Sequence, residues 1–260
     1  MRALFIGDVV GRPGREGLAA TMPSLRAEHK PDLVIANGEN AGGGVGITPD
    51  TASDLFDAGV DAITLGNHTY RHREVYSYLD SEQRIVRPLN FPKANPGRGH
   101  TIADAAGMRV AVVNLSGQLH LTVERSPFPA IDELLDDLRG GVDAVIVDFH
   151  AELTSEKVAM GWHLDGRVAA VLGTHTHVPT ADARVLPGGT AHITDVGMTG
   201  SRDGVIGVKR EQALQGFRTQ LPIRFESATD DVWVMGAMIE IGDDGLARSI
   251  SHVMVPAESS

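Results

Sequence analysis

The sequence predicts an α/β fold with a parallel sheet at its heart. Two observations carry this. Short apolar runs bounded by glycine alternate with segments of helical spacing through the first third of the chain, the rhythm of βαβ units. Each run is also followed at once by polar residues of metal-ligand type. In an open α/β sheet, the carboxyl ends of the strands are where ligands gather.

The elements follow in order. Residues 3–7 (ALFIG), 32–37 (DLVIAN) and 61–66 (DAITLG) are short, continuous apolar runs and read as buried strands. Between them, residues 13–30 and 48–59 place apolar side chains at helical spacing. Thr48 before Pro49 is an N-cap with proline in the first turn, and Gly59 is a helix stop. Residues 86–100 carry three prolines and two glycines and read as a loop. Strands are expected over 109–117, 143–150 and 168–177, and helices over 129–141 and 154–166. The last third is strand-rich (190–197, 230–242, 246–255), with one helical stretch at 207–218. No internal repeat, low-complexity tract or linker interrupts the chain, so residues 1–260 are expected to form one domain.

Composition narrows the function. The 260 residues are 42% hydrophobic, enough for a sizeable core. Net charge is −11, and no cluster of Lys and Arg offers the counterion-replacing surface of a duplex binder, so no stable duplex DNA binding is expected. Cysteine is absent, which excludes disulfides and thiolate metal sites. Any metal must be held by His, Asp, Glu or Asn, a donor set suited to Mn, Fe or Zn. No signal-peptide-like segment opens the chain and no stretch approaches ~18 apolar residues. A cytoplasmic protein with no membrane association is expected. Apolar strands of the last third could pair between copies, leaving a homo-oligomer open.

Five strand ends each deliver ligand-type residues: Asp8; Glu39 and Asn40; Asn67 and His68; His150; and the His175/His177 pair in GTHTH (173–177). Each alone has an ordinary reading as a turn residue, a cap or a core histidine. Their common placement argues for one site. The chemistry that wants such a set is displacement at phosphorus by two divalent ions about 3.5–4 Å apart. Glu39 is placed to bridge them. Asp8 and His177 would serve one ion, and Asn67, His150 and His175 the other. The shared water would become a hydroxide at neutral pH, and His68, beside a ligand without being one, could protonate the leaving oxygen. His29, His72, His100, His120, His163, His192 and His252 lie off the pattern. The segment GREGL (14–18) lacks a phosphate-loop signature. The glycine-rich 42–48 stretch invites a backbone contact with phosphate, and so does Arg12 as a side chain.

With GD at 7–8, GNH at 66–68, His150 and GTHTH at 173–177, the chain resembles the calcineurin-like metallophosphoesterases. The resemblance implies a four-layer αββα sandwich of two mixed β-sheets flanked by helices, with the strand-rich last third supplying the second sheet. Two departures stand out. Val10 replaces the histidine usual after Gly-Asp, and GEN replaces the second Gly-Asp. Asn40 then fills the vacated ligand place, and the oxygen-rich first site favours Fe or Mn. These departures, with DFHAELTSEK (148–157), THTHVPTAD (174–182) and DVGMTG (195–200), are similar to the bacterial YmdB-like branch. That branch implies a phosphodiesterase acting on 2',3'-cyclic nucleotides. A phosphomonoesterase, or a regulatory protein with structural metals that binds a nucleotide or a partner, remains open on the residues alone.

Overall fold

The computed structural model describes residues 1–258. The first half of the chain runs through β1 (Arg2–Ile6), β2 (Asp8–Val9), α1 (Gly11–His29), β3 (Leu33–Asn37), α2 (Pro49–Asp57), β4 (Ala62–Thr64), α3 (Val75–Ser81), β5 (Ile85–Val86), β6 (His100–Ala105) and β7 (Met108–Ser116). The second half adds α4 (Pro127–Asp137), β8 (Ala144–His150), α5 (Thr154–His163), β9 (Ala170–Thr174), β10 (Arg184–Val185), β11 (Ala191–Ile193), β12 (Met198–Ser201), α6 (Arg210–Thr219), β13 (Val232–Ile241) and β14 (Ala247–Pro256).

Local chemistry accounts for the boundaries. Thr48 caps α2 in a reciprocal box with Thr51, and Pro49 occupies the first turn, where its missing N–H costs nothing. α1 ends at Lys30 in the left-handed region (φ 47°). A Cβ on Gly14 would strike the Thr199 carbonyl, and one on Gly17 would lie 2.8 Å from Val232 Cγ1. The GREGL glycines are therefore there for close packing of α1 on β12 and β13, not for phosphate.

The strands form two mixed sheets. One, of eight strands, runs β2–β12–β13–β1–β3–β4–β5 with β14 added to β13; the other, of six, runs β10–β11–β9–β8–β7–β6. Phe5, Ile35, Ala237 and Ile239 of the first pack against Val112, Ile146, Leu172 and Ile193 of the second, all fully buried. On the outer face of the first sheet, Leu4, Ile6, Val34 and Ile63 meet Leu18, Met22 and Leu25 of α1 and Leu55 of α2. On the outer face of the second, Val147, Phe149 and Val171 meet Ile131 of α4 and Met160 of α5. Helix, sheet, sheet, helix is the four-layer αββα sandwich. No described helix is long and apolar enough to cross a membrane.

Three expectations change. The long strands of the last third, β13 and β14, join the first sheet, where β13 runs antiparallel beside β1. The second sheet comes from the middle of the chain. Both sheets are mixed, as expected, with parallel cores at β1–β3–β4–β5 and β7–β8–β9–β11. The proline-rich stretch 86–100 is bounded by strands, with β5 ending at Val86 and β6 starting at His100. Helix α3 was hidden because its seven residues are too few to show a period.

Phe5 lies at the centre of the inter-sheet core with no exposure. Phe5→Ala is expected to cost about 3–5 kcal/mol. Urea titration should show a lower midpoint with an unchanged slope.

Candidate metal centre

The eight residues singled out from the sequence meet at one end of the sandwich. Asp8 follows β1, Glu39 and Asn40 follow β3, and Asn67 and His68 follow β4. His150 ends β8, and His175 and His177 follow β9. Three strand ends from one sheet thus face two from the other across the core.

Half of the cluster centres on His150. Its Nε2 lies 3.1 Å from each of Glu39 Oε1, Asn67 Oδ1 and His175 Nδ1. Neighbouring acceptors fix the tautomers. Thr174 Oγ1 donates to Asp148 Oδ1 at 2.7 Å, so it accepts from His150 Nδ1 at 2.9 Å. Glu152 Oε2 lies 2.8 Å from His175 Nε2 and accepts its N–H. The two inward nitrogens, His150 Nε2 and His175 Nδ1, are thereby left as lone pairs facing each other, unless a cation or a proton lies between them. A single proton on His150 Nε2 cannot satisfy three acceptors. A divalent ion can. Glu39, His150 and His175 each offer a ligand atom, all within 4.8 Å of one another.

The other half centres on Asp8 and His177. Asp8 Oδ1 is 3.6 Å from His177 Nε2, and His177 Nδ1 donates to the Ile206 carbonyl at 3.0 Å. Again the inward nitrogen is a lone pair beside a carboxylate. Asn40 Nδ2 lies 3.2 Å from His177 Nε2 and 3.5 Å from Asp8 Oδ1, while its Oδ1 is 3.1 Å from His68 Nδ1. As placed, Asn40 turns its nitrogen, not the expected oxygen, toward Asp8 and His177; half a turn of the amide exchanges them. His68 Nδ1 also lies 3.0 Å from Glu39 Oε1, and its N–H donates to Glu39 Oε2 at 3.0 Å.

The electrostatics describe a buried anionic cup. Burial opposes the charge on Asp8, but His177, His150 and the His175 N–H hold it well below the usual carboxylate range. Burial likewise opposes Glu39, and His150 and His68 hold it down at about 2. Burial disfavours the His150 imidazolium, yet Glu39, Asp8 and Asp148 raise it to about 9. Burial and the charge of His150 push His175 down to about 4. In the metal-free protein, then, one proton sits on His150 where the acceptors converge.

The supporting shell was missed in the sequence. Asp148, pushed by burial up to about 6, accepts from Thr64 at 2.5 Å and from Asn37 at 2.8 Å as well as from Thr174. Asn37 and Asp148 interrupt otherwise apolar strands, which was the available signal. Glu152 lies within the DFHAELTSEK stretch but had no role assigned there, and the Ile206 carbonyl left no signal. Arg12, considered for phosphate, is largely exposed and faces Glu16 at 3.8 Å on α1; it makes no hydrogen bond or ion pair to the cluster. The 42–48 stretch folds into a turn beside Asn40, with Gly44 N–H bonded to the Asn40 carbonyl at 3.1 Å.

Two mixed sheets between helical layers, with carboxylates, amides and imidazoles gathered at the strand ends, define a metallophosphoesterase. Within that class, the chain belongs to the YmdB-like protein family, whose model it matches over residues 4–253. It is 48% identical, over 94% of its length and 92% of the relative's, to a Bacillus subtilis protein named 2',3'-cyclic-nucleotide 2'-phosphodiesterase. Among solved structures it is similar to a hypothetical protein of Thermus thermophilus (TM-score 0.93, 41% identity, covering 99% of this chain and 100% of that one). It is also similar to a novel phosphatase of Mycoplasma pneumoniae (TM-score 0.92, 34% identity, covering 99% and 94%).

Two outcomes follow from this geometry. A Cβ on Gly66 would collide with Glu39 Oε2 and the His150 ring, so Gly66→Ala is expected to fold yet lose most of its metal, read by elemental analysis after dialysis. Because His150 holds its proton up to about pH 9, Mn²⁺ uptake near pH 7.5 should release about one proton, and affinity should rise about tenfold per pH unit below that value. Calorimetry in two buffers of different ionisation enthalpy measures both.

Proposed function

We propose that the chain is a two-metal phosphodiesterase acting on 2',3'-cyclic nucleotides. The convergence of Glu39, Asn67 and His175 on one His150 nitrogen, beside the Asp8–His177 pair, carries the metal reading. The name of the 48% identical relative supports the diester substrate. Asp8, Asn40 and His177 would hold one ion, with the Asn40 amide turned to present oxygen. Asn67, His150 and His175 would hold the other, and Glu39 would bridge. The first set has oxygen donors and a single imidazole, which favours Fe or Mn over Zn. A chain with no cysteine and net charge −11 fits a cytoplasmic enzyme of small phosphoesters that does not bind duplex DNA.

When bound, the two ions would supply the positive charge that makes a water nucleophilic at neutral pH and offsets charge building on the phosphate. The chain does the rest. Water oxygen forms a new P–O bond as the bond to a ribose oxygen breaks, and the water's proton is lost to solvent, from which His68 is reprotonated. His68, with Nδ1 held by Glu39 at 3.0 Å, keeps Nε2 to hand a proton to that oxygen. Asp148, through Thr174, keeps the proton on His150 Nδ1 and so keeps Nε2 aimed inward.

With Mn²⁺ present, 2',3'-cyclic AMP is expected to be hydrolysed much faster than 5'-AMP. Asn67→Ala and Glu39→Gln should remain folded with activity more than about 100-fold lower, since even outer-shell partners of metal ligands cost about 10–100-fold. Chelation should abolish turnover and Mn²⁺ restore it. Faster turnover of the monoester would assign the site to a phosphomonoesterase. No turnover of either ester with two ions bound would assign it to regulation.

A further inference from the structure

Lys157 lies on α5 with 1% of its side chain exposed, and Asp195 lies just beyond β11 with none. Their Nζ and Oδ2 are 2.8 Å apart. An ion pair taken this far from water is a weak source of stability, because desolvation consumes most of the attraction and apolar residues of equal volume often do as well. It contributes no atom to the metal centre. Its remaining contacts show what it holds.

Three of them fall on Thr176, the residue between the two histidines. Thr176 N–H and Oγ1 both donate to Asp195 Oδ2, at 3.2 and 2.6 Å. Lys157 Nζ donates to the same Thr176 Oγ1 at 3.2 Å. The hydroxyl donates its hydrogen bond to Asp195, so its lone pairs are free for Lys157, and the three groups close a ring of hydrogen bonds. Asp195 is fixed in turn by Gly197 N–H on Oδ1 at 2.8 Å. The lysine stem passes Gly173, where an added Cβ would lie 3.1 Å from its Cδ.

The backbone on either side needs such an anchor. His175 and His177 sit at φ 93° and 65°, a region that side-chain-bearing residues leave unless their surroundings hold them. Only with these twists does the turn send one ring to His150 and the other to Asp8. Glu152 steadies His175 alone and the Ile206 carbonyl steadies His177 alone. Thr176, between the two, is seated at both main chain and side chain on groups that lie outside the ligand set.

We infer that Lys157 and Asp195 are positioning residues that clamp Thr176 and so set the aim of His175 and His177 together. The inference rests on reading those histidines as ligands of two separate ions. It separates the clamp from Glu152: loosening Thr176 weakens both ions, whereas loosening Glu152 weakens one.

Thr176→Val tests this, since it removes the hydroxyl while keeping shape and leaving the ion pair in place. Manganese content is measured against free Mn²⁺ by equilibrium dialysis, and the melting temperature is measured in chelator. Thr176→Val should lose about tenfold or more in affinity at both sites. Thr176→Ser should bind like the parent, and Glu152→Gln should lose affinity at one site only. Should the valine variant fail to fold, Thr176→Ala, which adds no bulk, is read the same way. Parental binding of two ions by the Val or Ala variant overturns the clamp, whatever the melting temperature, and a lower melting temperature alone would show a merely structural role. Loss confined to one ion also overturns it. A parent chain that takes up no Mn²⁺ would sink the metal reading and the clamp with it.

Discussion

The structure depends on keeping two carboxylates, Asp8 and Glu39, buried and ionised side by side with histidines at the mouth of the sandwich. Uncompensated, such groups would protonate or draw the fold apart. Here each lies against imidazoles, and Glu39 also takes the His68 N–H and Asp8 the His175 N–H. These compensating groups come from both sheets, so the sheets must meet in one register for the charges to be tolerated. The apolar core between them, from Phe5 to Leu172, provides that register. The site is therefore a condition on how the layers pack, and Gly66, with no room for a Cβ, marks how closely they do.

A second layer of polar groups passes this demand into the body of the protein. Asp148 takes three side-chain hydrogen bonds inside an otherwise apolar strand, and through Thr174 it decides which His150 nitrogen faces inward. Glu152 does the same for His175 at the surface, and a backbone carbonyl at Ile206 does it for His177. Three imidazoles are thus oriented by three different kinds of acceptor. Such outer groups fix the tautomer and the direction of a ligand.

Much of this was legible in the sequence, and the reasons are specific. The site residues could be found because each follows an apolar run directly, so the period of the strand gives both the fold element and the place of the ligand. His175 and His177 stood out because alternate imidazoles on a short polar turn have few ordinary uses. What could not be read depended on contacts between distant segments. The pairing of β13 with β1 leaves no local trace, so the long strands β13 and β14 were assigned to the wrong sheet, while β11 of the same third does lie in the second. Lys157 and Asp195 look like ordinary surface charges until the fold buries them. Asn40 was found as a site residue, but which end of its amide faces the cluster is decided by His68 and His177 together. Arg12 was close to Asp8 in sequence, and the first turn of α1 carries it outward.

The place of β13 also bears on how the chain is assembled. Arg2 and Glu240, 238 residues apart, are paired across β1 and β13. Contacts this remote close large loops and form slowly. During synthesis one edge of β1 stands open until β13 has been made, and until then α1 has no β13 to pack against. The strand that positions Asp8 therefore gains its second neighbour long after it has itself been translated. The carboxylates are made before the histidines, but the strand that leads into Asp8 gains its antiparallel neighbour only once β13 closes the sheet.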